Sequence, residues 1–516
     1  MEQRSIRRNL FPSEYSLIMG FISFFSRTLA ALVARKTRNW SEHPVEAQKK
    51  IFDYLISVGK NTVFGNDHLF SEIKSYEDFK QRVPVRDYEG LKPYIEKIKS
   101  GEKNVLWKNR PLYLSKTSGT TSGIKYIPIT KESLPNHLDS TRNALLSYIH
   151  ETGNSKFLDG KLIFISGSPA LDSMNGIPVG RLSGIVNHHV PEYLKRHQLP
   201  TYKTNCIEDW ETKLDSIVDE TMKQNMTFIS GIPPWVQMYF DKLHKKTGKK
   251  IGDLFPDFSL FVYGGVNYEP YRKKFEQSIG RTVDSIELYP ASEGFIAYQD
   301  SQKDNSLLLL LNSGIFFEFI PASEYFSENP TRISISEVEL GIQYAIILNT
   351  NAGLWGYSLG DTIKFVSKNP YKIIVTGRIK HYISAFGEHV IAEEVENALM
   401  KAAQEQHAEI IEFTVAPQVN PSTGELPYHE WFIEFSTPPG NIEKFRMTID
   451  EQLQKQNVYY RDLIQGHILQ PLKLRLLQKD AFISYMKSKG KLGGQNKVPR
   501  LSNDRVIAEE LRRFVQ

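Results

Sequence analysis

The sequence is poor in cysteine and in long apolar runs. Cys206 is the only cysteine in 516 residues, so neither an internal disulfide nor a cysteine metal cluster can form, which is typical of a reducing compartment. The segment from Tyr15 to Val33 is largely apolar, but Arg27 interrupts it well short of the roughly 20 residues that span a bilayer. Its apolar residues recur at helical spacing. We therefore expect a cytoplasmic protein with no transmembrane segment, in which this stretch is an amphipathic helix packed on the domain; attachment to a membrane surface is the alternative.

The sequence also lacks an excess of either charge. Its 64 basic and 59 acidic side chains leave a net charge of +5 that is spread along the chain, whereas proteins that neutralise nucleic-acid phosphates gather basic residues into stripes. We therefore expect no nucleic-acid partner. We also expect a monomer. At 516 residues the chain exceeds what one hydrophobic core organises, so two or more domains are predicted.

Short apolar runs that stop at glycine or proline begin near residue 161. They lie at 162–165, 228–229, 260–263 and 286–289. Such runs suit strands that are buried on both faces, and longer helical stretches separate them. The pattern therefore predicts a parallel α/β sheet.

The pattern changes twice further along the chain. Between 307 and 375 it becomes antiparallel, with a hairpin of 307–311 and 315–320 expected in a small sheet or barrel. Beyond Arg378 the chain alternates helical and strand patterns, including a helix at 442–456. The expected fold class is α/β: a large N-terminal domain (1–379) with parallel α/β sheets plus a small β-barrel-like sheet, and a smaller, mobile α+β C-terminal domain (380–516).

The strongest local signal is a run rich in hydroxyl groups and glycine that closes on a lysine, Ser115-Lys116-Thr117-Ser118-Gly119-Thr120-Thr121-Ser122-Gly123-Ile124-Lys125. Glycine lets backbone N–H groups approach phosphate oxygens, the hydroxyls donate further hydrogen bonds, and lysine adds a point charge. The spacing is not the Walker pattern, which disfavours a kinase or GTPase. A serine-rich surface turn is the alternative interpretation.

A second cluster, Tyr289-Pro290-Ala291-Ser292-Glu293-Gly294, follows an apolar strand, where open α/β sheets bind their ligands. Glu293 is a candidate ligand of Mg²⁺, because a cation on ATP takes oxygen ligands and one or two carboxylates from the protein. A solvated turn is the alternative. Gly264 and Gly265 also end a strand and leave room for a flat base, although they could simply form a tight turn.

A third cluster, Trp355-Gly356-Tyr357-Ser358-Leu359-Gly360-Asp361, precedes Gly377-Arg378 by about a dozen residues. An aspartate that follows glycine at the start of a strand can accept hydrogen bonds from both ribose hydroxyls, as acidic residues do in other nucleotide sites. Arg378 could assist it. In isolation, the alternative is a hairpin with a surface ion pair.

The order and spacing of these clusters resemble the acyl-adenylate-forming superfamily, and more closely the Gretchen Hagen 3 family of acyl acid amido synthetases. The resemblance covers nearly the whole chain, although Thr117 replaces the first serine of the family's phosphate loop. The matching elements are the phosphate loop at Thr117–Thr121, the tyrosine-to-Ser-Glu element at Tyr289–Glu293, the Tyr-x-x-Gly-Asp element at Tyr357–Asp361 and the Gln-x-Lys-x-Pro-Arg segment at Gln495–Arg500.

The resemblance implies a ligase that uses ATP and Mg²⁺ to join a small carboxylic acid to an amino acid. It implies catalytic roles for Lys497 and Lys125, a hinge at Lys380 and metal binding by Glu293. The residues that it implies for nucleotide binding are Thr117, Ser118, Gly119, Thr120, Thr121, Ser122, Gly123, Gly264, Gly265, Tyr289, Ser292, Tyr357, Asp361 and Arg378.

The implied reaction begins from a carboxylate, which is a poor electrophile. Attack on the α-phosphate of ATP releases pyrophosphate, and the resulting mixed anhydride reacts readily with an amine. Three interpretations remain open at this point. They are amide synthesis onto an amino acid, an acyl-CoA ligase that forms a thioester instead, and a catalytically silent nucleotide-binding protein without acid-dependent pyrophosphate exchange.

Overall fold

The structure, a computed structural model, describes residues 14–118, 124–265, 268–379, 382–383, 388, 390–419, 421, 425–466, 468–492, 497–502 and 504–516. Within these residues the helices are α1 (Glu14–Ser41), α2 (Pro44–Gly59), α3 (Val63–Asp67), α4 (Tyr76–Arg82), α5 (Tyr88–Lys99), α6 (Leu134–Thr152), α7 (Leu182–His188), α8 (Glu192–Lys195), α9 (Tyr202–Asn205), α10 (Trp210–Thr221), α11 (Pro233–Thr247), α12 (Ile251–Leu254), α13 (Glu269–Ile279), α14 (Ala392–Gln406), α15 (Ile442–Gln456), α16 (Val458–Gln465), α17 (Ala481–Ser488) and α18 (Val506–Leu511).

The strands of the described residues are β1 (Tyr113–Ser118), β2 (Ile124–Ile129), β3 (Lys161–Ile165), β4 (Asp172–Met174), β5 (Ile177–Gly180), β6 (Gln198–Leu199), β7 (Met226–Gly231), β8 (Leu260–Gly264), β9 (Asp284–Ala291), β10 (Gly294–Gln299), β11 (Leu307–Leu309), β12 (Ile315–Pro321), β13 (Gln343–Thr350), β14 (Tyr357–Lys368), β15 (Tyr371–Arg378), β16 (Tyr382–Ile383), β17 (Val390–Ile391), β18 (Glu409–Gln418), β19 (Tyr428–Thr437) and β20 (Lys473–Leu477).

An eleven-stranded sheet organises the larger part of the molecule, in the order β12-β13-β14-β15-β11-β10-β9-β8-β7-β3-β6. Neighbours from β6 to β9 are parallel, and those from β9 to β12 are antiparallel. In β8, Phe261 and Tyr263 face one apolar cluster, whereas Leu260 and Val262 face another on the opposite side. Both faces of the parallel strands are therefore buried, and the predicted α/β sheet is confirmed.

One predicted pairing is wrong. The sequence predicts a hairpin of 307–311 with 315–320, but β11 pairs with β10 and β15, while β12 pairs with β13. The expected small sheet is also continuous with the parallel strands. The physical reason is that an apolar pattern reports which side chains are buried, whereas it does not report which strand lies alongside.

The N-terminal part packs against the main sheet and against a four-stranded sheet in the order β2-β1-β5-β4. Ala30 and Val33 of α1 are buried against Tyr148 and Ile149 of α6, so the predicted packing is confirmed for this part of α1. Among the residues described, the structure contains no helix long and apolar enough to cross a membrane.

A smaller C-terminal unit is built on the three-stranded sheet β18-β19-β20. Its apolar cluster, which includes Trp431 and Phe445, draws its buried members from this unit alone. The predicted helix at 442–456 is confirmed as α15, which begins where the Asn441 side chain accepts a hydrogen bond from the N–H of Lys444 at 2.9 Å. The expected fold class, a large N-terminal α/β domain with a smaller C-terminal one, is confirmed.

Candidate active site

The carboxyl ends of β8 and β9 lie side by side at one edge of the main sheet. β8 ends at Gly264, and Gly265 follows with a φ of +81°, a left-handed backbone that only glycine adopts without strain. β9 ends at Ala291, and the turn Ser292-Glu293 leads directly into the antiparallel β10. Two of the predicted clusters are therefore neighbours at the edge where parallel sheets bind ligands.

Asp361 is the centre of the polar groups at this edge. β14 and β15 pair it directly opposite Arg378, whose Nε lies 2.8 Å from Oδ1. From β9, the hydroxyl of Tyr289 donates to Oδ2 at 2.7 Å. Burial and the charge of Asp361 raise the pKa of Tyr289 well above its usual value, so the phenol remains a donor. The carboxylate is thereby held in one orientation, with lone pairs left for further donors.

Glu293 forms a second acidic centre. The hydroxyl of Tyr357 donates to its Oε1 at 3.0 Å. Burial raises the pKa of Glu293, while its own backbone, the Tyr357 hydroxyl, and the charges of Lys125 and Arg378 act in the opposite sense. Burial is the largest of these effects, so the nearby donors and positive charges only partly offset the cost of burying the charged carboxylate. A cation placed beside it would favour its charged form.

The run rich in hydroxyl groups is a strand hairpin. β1 and β2 are antiparallel, with Thr117 opposite Lys125 and Ser118 opposite Ile124. The run is followed by strand β2, whereas a Walker motif is followed by a helix. The structure therefore agrees with the predicted departure from the Walker pattern. The residues at its tip, Gly119, Thr120, Thr121, Ser122 and Gly123, lie outside the described residues, and their predicted phosphate contacts stay predictions.

A side chain that was not among the predicted site residues joins this hairpin to the acidic turn. Ser115 of β1 donates from Oγ to Oγ of Ser292 at 3.0 Å. Ser115 is the first hydroxyl of the run, so its membership of the run was the available signal. The contact ties the base of the hairpin to the residue that precedes Glu293.

Lys497 reaches this edge from the C-terminal unit. Its ammonium donates to the carbonyl oxygen of Gly265, and a Cβ on that glycine would lie 2.5 Å from Nζ. The residue is exposed overall, and the end of its side chain lies against Gly265. Desolvation of that end and the nearby charge of Arg378 lower the pKa of Lys497 to about 8, against an opposing effect of Asp361. The lysine predicted to be catalytic therefore lies beside Gly265 and near Asp361 and Arg378.

The segment 497–502 is fixed to β18. The backbone N–H of Val415 donates to the carbonyl of Arg500 at 2.9 Å, and Oγ1 of Thr414 donates to the carbonyl of Pro499 at 2.7 Å. Arg500 forms an ion pair with Glu412 of β18 and donates to the hydroxyl of Tyr271 in α13.

The same two elements, α13 and β18, make a second contact across the two units. Nε2 of Gln277 donates to Oε1 of Glu409 at 2.9 Å. Lys497 is therefore carried by a short segment that is anchored on its own unit and docked against the other.

The structure brings most of the predicted side chains to one place. Lys125 and Glu293 lie together, and Asp361, Arg378 and Lys497 lie together, with Arg378 acting on both groups. Gly264, Gly265, Tyr289, Ser292 and Tyr357 line the same edge. Lys380 lies outside the described residues, so its hinge role stays a prediction.

Models of three GH3 family domains match successive parts of the chain. They are the N-terminal domain at residues 33–199, the central domain at 308–378 and the C-terminal domain at 393–506. The indole-3-acetic acid-amido synthetase GH3.3 of Arabidopsis thaliana is 22% identical over 549 residues, which cover 90% of this chain and 90% of its own.

Solved structures show the same fold. The AtGH3.15 acyl acid amido synthetase in complex with 2,4-DB superposes with a TM-score of 0.79 at 16% identity, covering 95% of this chain and 97% of its own. A 2-hydroxyisobutyryl-CoA ligase in the postadenylation state has a TM-score of 0.60 at 14% identity, covering 91% of this chain and 93% of its own. The three domain models together match more than half of the sequence, so the chain belongs to the GH3 family.

Proposed function

We propose that the protein is an ATP-dependent acyl acid amido synthetase. It converts a small carboxylic acid to an acyl adenylate and transfers the acyl group to the amino group of an amino acid. The observation that carries this proposal is the position of Lys497, which reaches from the C-terminal unit to Gly265, Asp361 and Arg378 of the N-terminal unit. Family membership and the acyl acid and indole-3-acetic acid amido synthetase names of the relatives support the amide-forming activity.

ATP is the substrate that fits these groups. Asp361, held by Arg378 and Tyr289, is suited to accept hydrogen bonds from the ribose hydroxyls. The space beside the α-carbon of Gly265 is taken by the Lys497 ammonium and that beside Gly264 by the carbonyl of Leu288, so their place beside a flat base rests on the resemblance alone. The donors proposed for the phosphates are Thr117, Ser118, Gly119, Thr120, Thr121, Ser122, Gly123 and Ser292. Use of ATP is also supported by the adenylate-forming neighbours.

Glu293 fits a Mg²⁺ site that is shared with substrate phosphates. The cost of burying its charged carboxylate is only partly offset, because burial raises its pKa. Within the described residues no group of three or more His, Cys, Asp or Glu side chains could hold a metal. One carboxylate completed by phosphate oxygens is the arrangement that Mg²⁺ commonly uses. When bound, the ion would neutralise charge on the phosphates.

In the first half-reaction, an oxygen of the carboxylate attacks the α-phosphorus, and the bond to the β-phosphate oxygen breaks. We assign to Lys125 and Lys497 the stabilisation of the charge that develops on the phosphate oxygens. In the second half-reaction, the amine nitrogen attacks the acyl carbon, AMP leaves with the bonding electrons, and the nitrogen loses a proton. Neither step needs a redox partner.

The amine needs space that Lys497 occupies in the first half-reaction. We propose that the chain divides into domains 1–379 and 380–516, and that a rotation at Lys380 withdraws Lys497 together with its unit. The anchoring of residues 497–502 on β18 supports movement of the unit as a whole. We further propose a cytoplasmic monomer.

The test begins with exchange of labelled pyrophosphate into ATP over a panel of small carboxylic acids. Productive acids are then incubated with ATP and each amino acid, and the products are analysed by mass spectrometry. We expect acid-dependent exchange and an amide product with release of AMP. Lys497→Ala should slow exchange by about 100-fold, the usual cost of one lost charge-stabilising donor.

Lys491→Ala is the matched control, because Lys491 is an exposed lysine of the same unit. Its exchange rate should equal that of the unchanged protein. Cleavage of ATP to ADP, or the absence of exchange with every acid, would contradict the proposal, the latter in favour of a silent nucleotide-binding protein.

An acyl-CoA ligase is the second candidate, because a CoA ligase shares the fold. It has the same first half-reaction and differs only in the acceptor. Replacing the amino acids by coenzyme A in the same assay separates the two. Formation of a thioester product and no amide would favour the acyl-CoA ligase.

A further inference from the structure

A pair of buried cations lies near the candidate active site and has no role in adenylation. Lys213 of α10 is 3% exposed, and Arg181, which directly follows β5, is half-buried. With Ser183 of α7 and Asn205 of α9 they form a group that we call the Arg181 cluster. Predictions from the sequence did not include any of these residues, because three separate segments contribute them: the start of α7, α9 and α10.

Within the part of the chain that the structure describes, the Lys213 ammonium is held by two neutral carbonyl oxygens. It donates to the carbonyl of Asn205 at 2.7 Å and to that of Ser166 at 2.9 Å. Burial, together with the charge of Arg181 and against the opposing effect of Cys206, lowers the pKa of Lys213 to about 8. The two cations therefore lie close enough to repel each other.

Arg181 lies against bare backbone. A Cβ on Gly167 would be 2.8 Å from Cδ of Arg181, so a side chain at this position would require the arginine to shift. Burial lowers the pKa of Arg181. Among the described residues, no acidic side chain forms an ion pair with Arg181 or Lys213. Two partly desolvated positive charges without a counter-charge are costly, and a bound anion would offset that cost.

Two further polar atoms of the cluster lack partners. Within the described part of the chain, Oγ of Ser183 and Oδ1 of Asn205 are buried without a hydrogen bond, and Asn205 is only 2% exposed. Buried polar atoms are normally satisfied, so these two indicate a ligand with matching polar groups. The Ser183 hydroxyl can donate to an anion, and the Asn205 oxygen can accept from an adjacent N–H or O–H.

The cluster adjoins the candidate active site along two routes. Gly180, which precedes Arg181, is paired with Ser115 of β1, and Ser115 contacts Ser292 in the acidic turn. Ser166 directly follows β3, which is separated from β8 by β7 alone. Two strand spacings amount to about 10 Å along the sheet edge. This is the length of a small organic acid or amino acid.

We propose that the Arg181 cluster binds a substrate carboxylate other than the carboxylate that is adenylated. Arg181 and Ser183 supply the hydrogen bonds, and Lys213 supplies charge from behind them. The carboxylate is either the α-carboxylate of the acceptor amino acid or a second carboxylate on the acyl substrate; the chemistry of recognition is the same. The inference rests on the proposed function for the reaction in which this carboxylate takes part.

The kinetic test compares Arg181→Gln and Ser183→Ala with Arg513→Gln, whose side chain is 53% exposed. Exchange is measured with monocarboxylic and dicarboxylic acids, and amide formation with each amino acid. Loss of a charged hydrogen bond should raise one KM by about 10- to 100-fold with little change in kcat. A raised KM of the acid in exchange identifies an acyl carboxylate, and a raised KM of the amino acid alone identifies the acceptor.

A chemical test is independent of turnover. Phenylglyoxal modifies arginine, and mass spectrometry of peptides measures its rate at Arg181 and Arg513 in the unchanged protein. Glutarate or amino acids should slow modification of Arg181 and leave Arg513 unaffected. Protection without any pyrophosphate exchange would support this site while the proposed function fails. Normal KM values in both variants, together with no protection by any probe, would refute the site.

Discussion

The lowered pKa of the Lys497 ammonium should make the rate of the adenylation half-reaction fall at alkaline pH. Desolvation and Arg378 lower the pKa of Lys497 to about 8, from an ordinary value of 10.5. The protonated form is the one that stabilises phosphate charge. Because the pKa is lowered, the useful form is present below pH 8 and is lost as the pH rises through that value.

The size of the effect follows from the titration alone. About half of the molecules carry the charge at pH 8, about one in ten at pH 9 and about one in a hundred at pH 10. The kcat/KM for ATP reports the ionisation of free enzyme, so it should decrease about fivefold from pH 8 to pH 9 and about tenfold from pH 9 to pH 10. Bound phosphates would favour the charged form, so kcat should decrease at a higher pH than kcat/KM.

The assay is pyrophosphate exchange, in which no amine takes part and no amine ionisation contributes. Lys497→Arg provides the decisive comparison, because a guanidinium stays protonated over this range. Its activity should be lower and its pH profile flat, while Lys491→Arg should retain the profile of the unchanged protein. Two results would show that Lys497 is not the titrating group. One is an equally steep decrease of kcat/KM with pH in Lys497→Arg. The other is a kcat/KM that stays constant up to pH 10 in the unchanged protein.

Three other substitutions test separate contacts. Tyr289→Phe removes the 2.7 Å hydrogen bond to Asp361 and should raise the KM for ATP about tenfold in exchange assays. Glu293→Gln removes the proposed metal-binding charge and should raise the Mg²⁺ concentration for half-maximal exchange on the order of tenfold, as a magnesium titration would show. Arg332→Met leaves Glu318 buried without its cation, 2.8 Å away in the unchanged protein, and should lower the free energy of unfolding at pH 7 by about 3–5 kcal/mol in urea denaturation. An unchanged KM, an unchanged magnesium requirement or an unchanged unfolding midpoint would count against the respective contact.

The parts of the molecule that were predictable are those with a local pattern. The helix at 442–456 shows a 3.6-residue apolar period, and it forms with those bounds. Asp361 and Arg378 were selected together within the third cluster, and their pairing follows from the local hairpin of β14 and β15. Local patterns of this kind depend on residues close in the chain, so a single sequence contains them.

The parts that were not predictable depend on residues far apart in the chain. β11 lies between β10 and β15, and no property of Leu307–Leu309 distinguishes that arrangement from a hairpin with β12. Lys213 appears in the sequence as one basic residue in a helix, and its burial follows only from the packing of neighbouring segments. Long-range packing of this kind is not encoded in periodicity or composition.

The attachment of residues 497–502 to β18 has a mechanical consequence for the proposed reaction. Lys497 cannot retreat on a loose loop of its own, so its departure would require the docking of α13 on β18 to come apart, including the contact of Gln277 with Glu409. A covalent cross-link between α13 and β18 would hold the two units together and keep Lys497 in the site. The cross-linked enzyme would still exchange pyrophosphate into ATP, but it would not form the amide product.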